Sequence, residues 1–546
     1  MSNEQLEDRA GLTTFPTTPP MQWDGWGAPE KRKDLSDGMK AVLGQALGVT
    51  IRQAPDRVAA DVILTPSAVS EGQLAALAGI VGEKFCSTEH DDRLLRAGGK
   101  SIFDLLRRRS TEPQNAPDVI VTPGTEAEVA EILRYCADNS IAVVPFSGGS
   151  SAVGGLDPVR DKFDAVLSLD LRRFDSLIDL DTDSGTATLG VGLPGPRVEE
   201  LLGAHGFSLG HFPQSFMFAT IGGFAATRSS GQASAGYGRF EDMVQGLRVV
   251  TPAGTLDTGR APASAAGPDL GELFVGSEGT LGVITQVRVQ VHPVPETTVR
   301  EGWSFPDFET GAAALRALRQ AGAVPTVLRL SDEAETAVNL ATHDKIGEEA
   351  VTGGCLVITT FEGTKEHTTK RVAEARAVLQ AHGATSLGDE PGSNWEHGRF
   401  DAPYLRDALL DAGVLCETLE TATTWGNLAN LRASVTAALT ESLSAQGTPP
   451  LVLCHISHTY GTGASLYFTI VCAQNDDPID QWGKAKAAAG DAIIAAGGTI
   501  THHHAVGVDH RPWLRDEIGD LGVTVLRAVK NAVDPAGILN PGKLIP

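Results

Sequence analysis

Three segments rich in glycine, serine and threonine constrain the fold of this chain more than any other feature of its sequence. The first is Pro145-Phe-Ser-Gly-Gly-Ser-Ser151, the second runs from Gln214 to Gly231, and the third is Gly276-Ser-Glu-Gly-Thr-Leu-Gly282. Successive glycines allow backbone N–H groups to converge on an anion without side chains in the way. One such loop is an ordinary surface turn about as often as not, but three together predict that the chain wraps one extended nucleotide.

The first segment follows a strand–helix–strand pattern. Residues 118–122 form a short apolar run, and Thr125 followed three residues later by Glu128 is a capping box that predicts the start of a helix. Apolar residues then recur at spacings of three and four, as on one helix face. Residues 141–144 are the next apolar run, and it leads directly into the glycine-rich loop. This order is typical of an α/β unit that presents the loop at a strand end.

The remaining pattern predicts antiparallel sheets. Residues 176–180 and 186–189 flank a turn with glycine, as in a hairpin, and residues 283–292 alternate apolar and polar side chains. Beyond the proline pair that follows, helical patterns alternate with strands, which indicates a sheet covered by helices. We therefore predict an α+β protein. Its expected parts are a largely helical N-terminal region at 1–112, a nucleotide-binding domain at 113–295, a cap domain at 296–515, and a segment at 516–546 that returns to the nucleotide-binding domain.

One glycine motif points elsewhere and is set aside. Gly190-Val-Gly-Leu-Pro-Gly195 matches GxGxxG and follows a predicted strand. A dinucleotide fingerprint also needs an acidic residue about 20 residues further on, at the end of the next strand. Residues 209–214 contain no carboxylate, so we interpret the motif as a turn that leads into a helix over 197–202.

Composition excludes several classes of function. The net charge of -24, without a long Lys/Arg run, argues against a nucleic-acid partner. The six cysteines include no CxxC pair and are expected to be buried free thiols. No apolar run approaches roughly 18 residues, so no membrane span is expected. Residues 1–20 lack the features of a secretion or transit signal, and the last three residues are not a peroxisomal address. We expect a cytoplasmic enzyme.

Together, the loop at 145–151, the glycine pair at 222–223 and the segment at 276–282 resemble the FAD-binding domain of the vanillyl-alcohol-oxidase family. Within that family the chain is similar to the alkyldihydroxyacetonephosphate synthases, from Trp23-Asp-Gly-Trp-Gly27 to His502-His-His-Ala-Val-Gly507. The resemblance implies a two-subdomain FAD-binding domain of the p-cresol-methylhydroxylase (PCMH) type. Relatives with covalent flavin commonly use a His or Cys near the first loop. This chain offers serines there, which implies noncovalent FAD.

The residues expected to hold the FAD belong to the three segments and supply backbone N–H groups, hydroxyls or close approach. They are Pro145, Phe146, Ser147, Gly148, Gly149, Ser150, Ser151, Gln214, Ser215, Thr220, Gly222, Gly223, Thr227, Ser229, Ser230, Glu278, Gly279, Thr280, Gly282, Val283 and Ile284.

The resemblance also implies a reaction without net redox change. The acyl group of an acyl-dihydroxyacetone phosphate leaves, and a fatty alcohol replaces it to form an ether bond. Such an exchange needs an anion clamp, and Arg406 and Arg329 match functionally important arginines of the synthases. Tyr467 resembles their catalytic acid/base, with Tyr460 in reserve. The ordinary alternatives are a structural ion pair for each arginine and a core strand position for Tyr467.

The triple histidine His502-His503-His504 is the least ordinary feature of the C-terminal half. Three consecutive imidazoles cannot all point at one core face, so we expect one or two to line the flavin or substrate pocket as catalytic groups. A metal site shared with His455, His458 or His510 is an alternative. The spacings match no standard zinc pattern, and we predict that no metal is bound.

Two other functions remain open from the sequence. The tail from Asp534 to Lys543 is similar to the ending of flavin-dependent 2-hydroxy-acid dehydrogenases, which favours an FAD-linked dehydrogenase or oxidase of a 2-hydroxy acid or an alcohol. A noncatalytic flavin-binding or scaffold protein is the third alternative. The expected partner is a small-molecule or lipid substrate with a phosphate group. A peripheral membrane contact and a homodimer also remain open.

Overall fold

The computed structural model describes residues 21–52, 56–342 and 354–546. In its first half the helices are α1 (Asp37–Leu47), α2 (Glu71–Val81), α3 (His90–Leu95), α4 (Ile102–Arg108), α5 (Glu126–Asp138), α6 (Gly195–Gly203), α7 (Ile221–Thr227), α8 (Ser234–Tyr237) and α9 (Phe240–Met243). The strands there are β1 (Cys86–Ser87), β2 (Val119–Val121), β3 (Ile141–Phe146), β4 (Ala165–Asp170), β5 (Leu177–Asp181), β6 (Thr186–Gly190), β7 (Phe207–Ser208), β8 (Val244–Thr251), β9 (Gly254–Asp257), β10 (Val283–Gln290) and β11 (His292–Pro293).

The second half carries one large sheet and its helices. The helices are α10 (Phe308–Ala321), α11 (Glu333–Thr342), α12 (Lys365–Ala381), α13 (Glu390–Gly398), α14 (Ala402–Asp411), α15 (Leu428–Ala445), α16 (Pro478–Ala495) and α17 (Arg511–Val533). The strands are β12 (Thr297–Phe305), β13 (Val327–Ser331), β14 (Cys355–Gly363), β15 (Thr385–Gly388), β16 (Val414–Thr424), β17 (Leu451–Ile456) and β18 (Gly463–Ala473).

Two sheets form the first domain. In the four-stranded sheet, of order β1-β2-β4-β3, β2 and β3 both run parallel to β4. The five-stranded sheet, of order β5-β6-β10-β8-β9, is antiparallel. Apolar side chains of both sheets share one core with α2 and α5. The two sheets are the two subdomains that the sequence predicted.

The predicted capping signal forms at the start of α5. The hydroxyl of Thr125 accepts the N–H of Glu128 at 3.2 Å, while the Glu128 carboxylate accepts the N–H of Gly124 at 2.6 Å. The Glu side chain therefore reaches one residue further back than in a standard capping box. The segment that matched GxGxxG ends in α6, which confirms that it is a turn into a helix.

The second domain is an antiparallel sheet covered on one face by helices, as predicted. Its order is β15-β12-β14-β13-β17-β18-β16. Apolar residues of α10, α12, α15 and α16 pack on that face and form a second core. Along β18, Leu466 and Phe468 belong to this core. Because side chains alternate along a strand, Tyr467 between them lies on the opposite face of the sheet.

The predicted N-terminal region contributes to both domains in its described part. Leu77 of α2 lies in the core of the first domain, whereas Ile102 and Leu105 of α4 lie in the core of the cap. Leu35 packs with Val414 of the cap. The division at 1–112 stays a prediction about the sequence, and residues 1–20 lie outside the described part.

The C-terminal segment returns to the first domain. Leu539 forms a parallel bridge to Val143 of β3, and Ile538 and Leu539 are fully buried in the first core. The Asp534 carboxylate accepts the N–H groups of both residues, at 3.1 and 2.8 Å. The tail therefore closes the edge of the sheet that carries the first glycine-rich loop.

The cysteines are free throughout, and Cys136, Cys355, Cys416, Cys454 and Cys472 are buried. Cys86 is half-buried. The prediction of buried free thiols is thus confirmed for five of the six. Among the helices that the structure describes, none combines the length and apolar character needed to cross a bilayer.

Replacing Leu77 with Ala tests whether α2 belongs to the core of the first domain. Leu77 is fully buried there, so we expect a loss of roughly 2–5 kcal/mol in the free energy of unfolding, from lost burial and the cavity left behind. Leu451→Ala at a site 37% exposed is the control, with an expected change of about 0.5 kcal/mol or less. Urea unfolding curves measure both, and equal midpoints for the two variants would contradict this packing.

Candidate active site

A cavity of about 470 Å³ lies where the glycine-rich segments face the cap sheet. Of the residues predicted to hold FAD, all but two line it: Pro145, Phe146, Ser147, Gly148, Gly149, Ser150, Ser151, Gln214, Ser215, Thr220, Gly222, Gly223, Thr227, Ser229, Ser230, Glu278, Gly279, Gly282 and Ile284. Thr280 and Val283 are buried and do not line it. The opposite wall comes from the cap and includes Arg329, Glu335, Leu405, Arg406, Leu409, Cys416, Glu417, Thr418, His455, Ser457, His458, Tyr467, Thr469, His503 and His504.

The first glycine-rich loop needs glycine for contact reasons. A Cβ on Gly148 would lie 2.4 Å from the carbonyl oxygen of Phe218, closer than nonbonded atoms approach. Gly149 has a φ of +70°, in the left-handed region that favours glycine. The loop can therefore lie flat against the second segment and leave the space in front of it open.

Several buried polar atoms of this wall point to a polar ligand. Ser147 Oγ, Gln214 Nε2, Thr220 Oγ1 and Ser230 Oγ are buried and find no hydrogen-bond partner within the described part of the chain. Each unsatisfied buried group costs about 1–3 kcal/mol, so such a set is explained by a ligand that pairs with it. A dinucleotide such as FAD, with polar atoms along its whole length, fits these residues.

Among the described residues of this FAD-side wall, from Pro145 to Ile284, none that lines the cavity is a histidine or cysteine. The histidines and the cysteine that line the cavity come from the cap side and the C-terminal loop. The noncovalent attachment of FAD stays a prediction.

Arg406 on α14 lies half-buried at the cavity wall. Its Nη1 donates to the carbonyl oxygen of Lys100 at 2.9 Å and its Nη2 to Asp407 Oδ1 at 3.3 Å. Its Nε is buried without a partner in the described structure. Lys100 also lines the cavity, and its ammonium donates to the carbonyl oxygen of Gln22. Sequence reasoning missed Lys100, since no motif marks it.

Arg329 on β13 takes part in a buried ion pair. Its Nη2 donates to Glu335 Oε1 at 2.9 Å and lies 2.9 Å from His455 Nδ1. The structure thus places Arg329 at the cavity wall, in the kind of ion pair that was the ordinary alternative. Glu335 and His455 complete the group. The sequence marks Glu335 only as an acidic residue in the first turn of α11.

Tyr467 and His455 form a stacked pair on the cavity side of the cap sheet. Their ring centroids are 4.7 Å apart with an interplanar angle of 17°. Burial raises the pKa of the Tyr467 hydroxyl above its ordinary value. Tyr467 is therefore a neutral hydrogen-bond donor in this cavity. Tyr460, the reserve candidate, does not line the cavity, and its hydroxyl lies 2.6 Å from His502 Nε2.

The three consecutive histidines diverge, as expected for an irregular segment. His503 and His504 line the cavity, whereas His502 does not. His502 Nδ1 lies 2.9 Å from His503 Nδ1. Burial lowers the pKa of His502 to about 3 and that of His503 well below its usual range. The buried imidazoles are therefore neutral at physiological pH.

His458, His502 and His503 bring one ring nitrogen each to within 4.8 Å of the others. This geometry is compatible with a metal ion, and the sequence-based expectation of no metal stays a prediction.

Glu278 lines the cavity, but its carboxylate contacts the histidine loop. Its oxygens accept the N–H groups of Val506 at 2.9 Å and Gly507 at 2.8 Å. Burial raises the pKa of this carboxyl to about 7. Glu278 therefore joins the third glycine-rich segment to the loop that carries His503 and His504.

Comparisons with known proteins agree with this geometry. Residues 117–259 match the family described as FAD binding domain, and residues 294–544 match FAD linked oxidases, C-terminal domain. The alkyldihydroxyacetonephosphate synthase of Dictyostelium discoideum is 36% identical over 84% of this chain and 78% of that protein. A solved alkyldihydroxyacetonephosphate synthase structure matches with a TM-score of 0.84 and 31% identity, over 96% of this chain and 99% of that one.

A more distant likeness concerns the fold alone. The structure of p-cresol methylhydroxylase with substrate bound matches with a TM-score of 0.63 and 17% identity, over 88% of this chain and 98% of that one. The predicted PCMH-type fold, the FAD cofactor and the family resemblance are confirmed by these comparisons.

Replacing Gly148 with Ala is expected to abolish FAD retention, because the added Cβ meets the Phe218 carbonyl and displaces the loop. Gly79→Ala is the matched control, since a Cβ there meets nothing within 4 Å. The measurement is flavin absorbance per mole of purified protein. A Gly148→Ala protein that retains full FAD content would refute the assigned loop contact.

The buried imidazoles predict acid sensitivity. Burial lowers the pKa values of His211, His502 and His510 to about 3, from an ordinary value of 6.5. Between pH 6.5 and 3 these imidazoles therefore bind protons in the unfolded chain but not in the folded protein. The free energy of unfolding is highest above pH 6.5 and falls as the pH decreases toward 3. Each such group adds about 1.4 kcal/mol per pH unit to this slope.

Urea unfolding between pH 4.5 and 6 measures that slope. We expect His211→Gln to reduce it by about 1.4 kcal/mol per pH unit. The exposed His205 is the matched control position, and its change to Gln is expected to leave the slope as in the wild type. An unchanged slope in the His211 variant would show that this imidazole takes up a proton in the folded protein.

Proposed function

The chain belongs to the alkyldihydroxyacetonephosphate synthase family, and from this premise we propose that it exchanges the acyl group of an acyl-dihydroxyacetone phosphate for a fatty alcohol. The single observation that carries the proposal is the shared cavity. Arg406, Tyr467, His503 and His504 all face the space that the three glycine-rich segments border.

FAD, when bound, supplies the redox-active ring that allows one substituent on a carbon to replace another without net oxidation. The residues of this chain would bind the substrate and move the protons.

Arg406 is the proposed phosphate ligand. Its Nε has no partner in the described structure, and a guanidinium binds phosphate through several N–H groups at once. Lys100 lines the same cavity, but burial lowers its pKa well below the usual range and its Nζ donates to the carbonyl oxygen of Gln22. In a protein with a net charge of -24, the guanidinium of Arg406 therefore supplies the local positive charge that attracts an anion. Arg329, whose Nη2 is already paired with Glu335, is better suited to fix His455 and thereby Tyr467.

Proton transfer is assigned to the opposite wall. The exchange releases a carboxylate and takes up an alcohol, so the alcohol must lose its proton. The imidazole of His503, neutral because burial lowers its pKa, can accept that proton, and His504 at the same wall is the second candidate. Tyr467, neutral because burial raises its pKa, would donate a hydrogen bond to the departing carboxylate. The ring centroid of Tyr467 lies 6.0 Å from that of His503 and 5.7 Å from that of His504. These distances suit groups that act on one substrate.

An apolar part of the cavity suits the fatty chains. Trp26, Leu405, Leu409 and Cys416 line it beside Arg406. Apolar side chains next to a cationic group match a ligand that carries a phosphate and a long hydrocarbon chain.

A peripheral membrane contact and a homodimer remain predictions, as does a cytoplasmic location.

The dehydrogenase alternative rested on the C-terminal tail, and that tail has a structural role. Asn540 Nδ2 donates to the carbonyl oxygens of Gly155 at 3.1 Å and Glu278 at 2.7 Å. Lys530 donates to the carbonyl oxygens of Thr280 and Leu539. In this chain these contacts support the nucleotide-binding loops, a structural role that gives the tail no preference for a redox reaction.

The direct test is an anaerobic exchange assay. The FAD-loaded protein is mixed with acyl-dihydroxyacetone phosphate and an isotope-labelled long-chain alcohol, and mass spectrometry follows the label while absorbance follows the flavin. We expect label in an alkyl ether phosphate and the flavin in the same redox state before and after turnover. Flavin bleaching by 2-hydroxy acids, without ether product, would instead establish the dehydrogenase.

Tyr467→Phe is expected to lower the exchange rate by roughly 10²- to 10³-fold while FAD stays bound, because the hydrogen-bond donor to the departing carboxylate is removed and the ring stays. Tyr135→Phe, on α5 and outside the cavity lining, is the control. Steady-state rates at saturating substrate compare the variants. Full activity of Tyr467→Phe would remove this tyrosine from the mechanism.

A further inference from the structure

The loop from Thr501 to Gly507 has no regular secondary structure, yet it places His503 and His504 at the cavity wall. Its backbone includes Ala505 with a φ of +73°, a conformation that a residue other than glycine adopts only when its surroundings enforce it. Something in the fold must therefore hold this loop in place.

The Glu420 carboxylate meets this loop from the cap. It accepts the hydroxyl of Thr501 at 2.6 Å and the N–H groups of three successive residues, His502, His503 at 3.2 Å and His504 at 2.8 Å. Successive N–H groups that converge in this way form an anion-binding nest. The side chain of Glu420 is fully buried, and water does not compete for these donors.

The carboxylate is ionised in this setting. Burial opposes its charge, but the Thr501 hydroxyl and the three backbone N–H groups that donate to it stabilise the ionised form. An ionised carboxylate offers acceptor sites to all four donors, whereas a carboxamide offers one oxygen and two N–H groups of its own.

Glu420 also lies beside the tyrosine of the site. On neighbouring antiparallel strands, Glu420 of β16 is the register partner of Tyr467 of β18. Directly opposed residues point to the same face of a sheet. Glu420, which holds the histidine loop, and Tyr467 therefore lie opposite each other on neighbouring strands of the cap sheet.

A second carboxylate holds the other end of the loop. Glu278, from the FAD-binding domain, accepts the N–H groups of Val506 and Gly507. Each domain thus contributes one buried carboxylate to a loop of seven residues, Thr501 to Gly507.

We propose that Glu420 is a positioning residue, whose carboxylate fixes the backbone of residues 502–504 and thereby aims His503 and His504 into the cavity. The proposal rests on the proposed function for the role of the two imidazoles. The hold on the loop itself stands on the contacts alone, and the two can be tested apart.

Glu420→Gln in the FAD-loaded protein is the test, because it keeps the size of the side chain and removes its charge. Glu301→Gln is the matched control, since Glu301 of β12 is also a buried carboxylate of the cap sheet but pairs with Arg376 of α12. Hydrogen–deuterium exchange by mass spectrometry, read on the peptide that covers 502–504, reports the hold on the loop. We expect amide exchange there at least about 10-fold faster in Glu420→Gln and unchanged in Glu301→Gln.

Activity then reports positioning. We expect kcat to fall roughly 100-fold in Glu420→Gln, the size of effect that misplacement of a reacting group by about 1 Å can cause, with KM and FAD content retained. A deficit confined to FAD content or to KM would overturn the positioning role. Unchanged amide exchange at 502–504, or faster exchange with unchanged kcat, would overturn it as well.

Thr501→Val extends the test if Glu420→Gln does not fold. It removes one donor to the carboxylate and keeps the charge, so we expect the same two changes at smaller size. If residues 502–504 of the Thr501→Val protein exchange their amide hydrogens as slowly as in the wild type, the result counts against the proposal. If the wild-type protein forms no alkyl product, the proposed function fails, while the amide exchange rates still decide whether Glu420 holds the loop.

Discussion

Buried carboxylates that cross from one domain to the other determine the geometry of this protein. Each domain has its own hydrophobic core, and a core does not fix the distance between two domains. Glu278 reaches from the FAD-binding domain to Val506 and Gly507, while Asp407 of the cap accepts the N–H of Trp26. Hydrogen bonds from backbone N–H groups to a buried carboxyl oxygen are directional. They set the separation of the two walls and so the shape of the cavity between them.

The two ends of the cavity differ in charge. The chain as a whole carries a charge of -24, yet Arg329 and Arg406 border one space. Arg329 is paired with Glu335 and Arg406 with Asp407, and the Nε of Arg406 is the donor that is left for a ligand beside α14. Neutral imidazoles and a neutral tyrosine occupy the cap wall nearby. This separation of a charged end from an uncharged reactive end suits an amphipathic phosphate ester, in which the phosphate is bound away from the carbon that reacts.

The glycine-rich segments that line one wall of the cavity could be found in the sequence, because glycines at fixed positions report backbone requirements directly. Gly148 has no room for a Cβ, and Gly149 has a φ of +70° that favours glycine. Such requirements select glycine at these positions, and the pattern is visible without a structure. The cap wall was harder. Which of His502, His503 and His504 reaches the cavity depends on an irregular loop, and that loop is held by Glu278 and Glu420, which lie more than 80 residues away along the chain.

Two other features follow the same rule. Arg329 could be named from the sequence, but its pairing with Glu335 and the stacking of His455 on Tyr467 are tertiary contacts without a local signal. The sequence predicts one helical N-terminal region, whereas α2 and α4 pack into different cores. An amphipathic pattern shows that one face of a helix is buried, but it does not show which part of the protein covers that face.

A crystal structure of the FAD-loaded protein with an unreactive ether analogue of acyl-dihydroxyacetone phosphate tests the central claim most directly. The account predicts that the phosphate binds Arg406 beside Lys100, that the hydrocarbon chain lies against Trp26 and Leu409, and that the carbon of the ether bond lies between the flavin ring and Tyr467. A phosphate bound elsewhere, with Arg406 still turned to Asp407 and the Tyr467 hydroxyl out of reach of the ether oxygen, would contradict it.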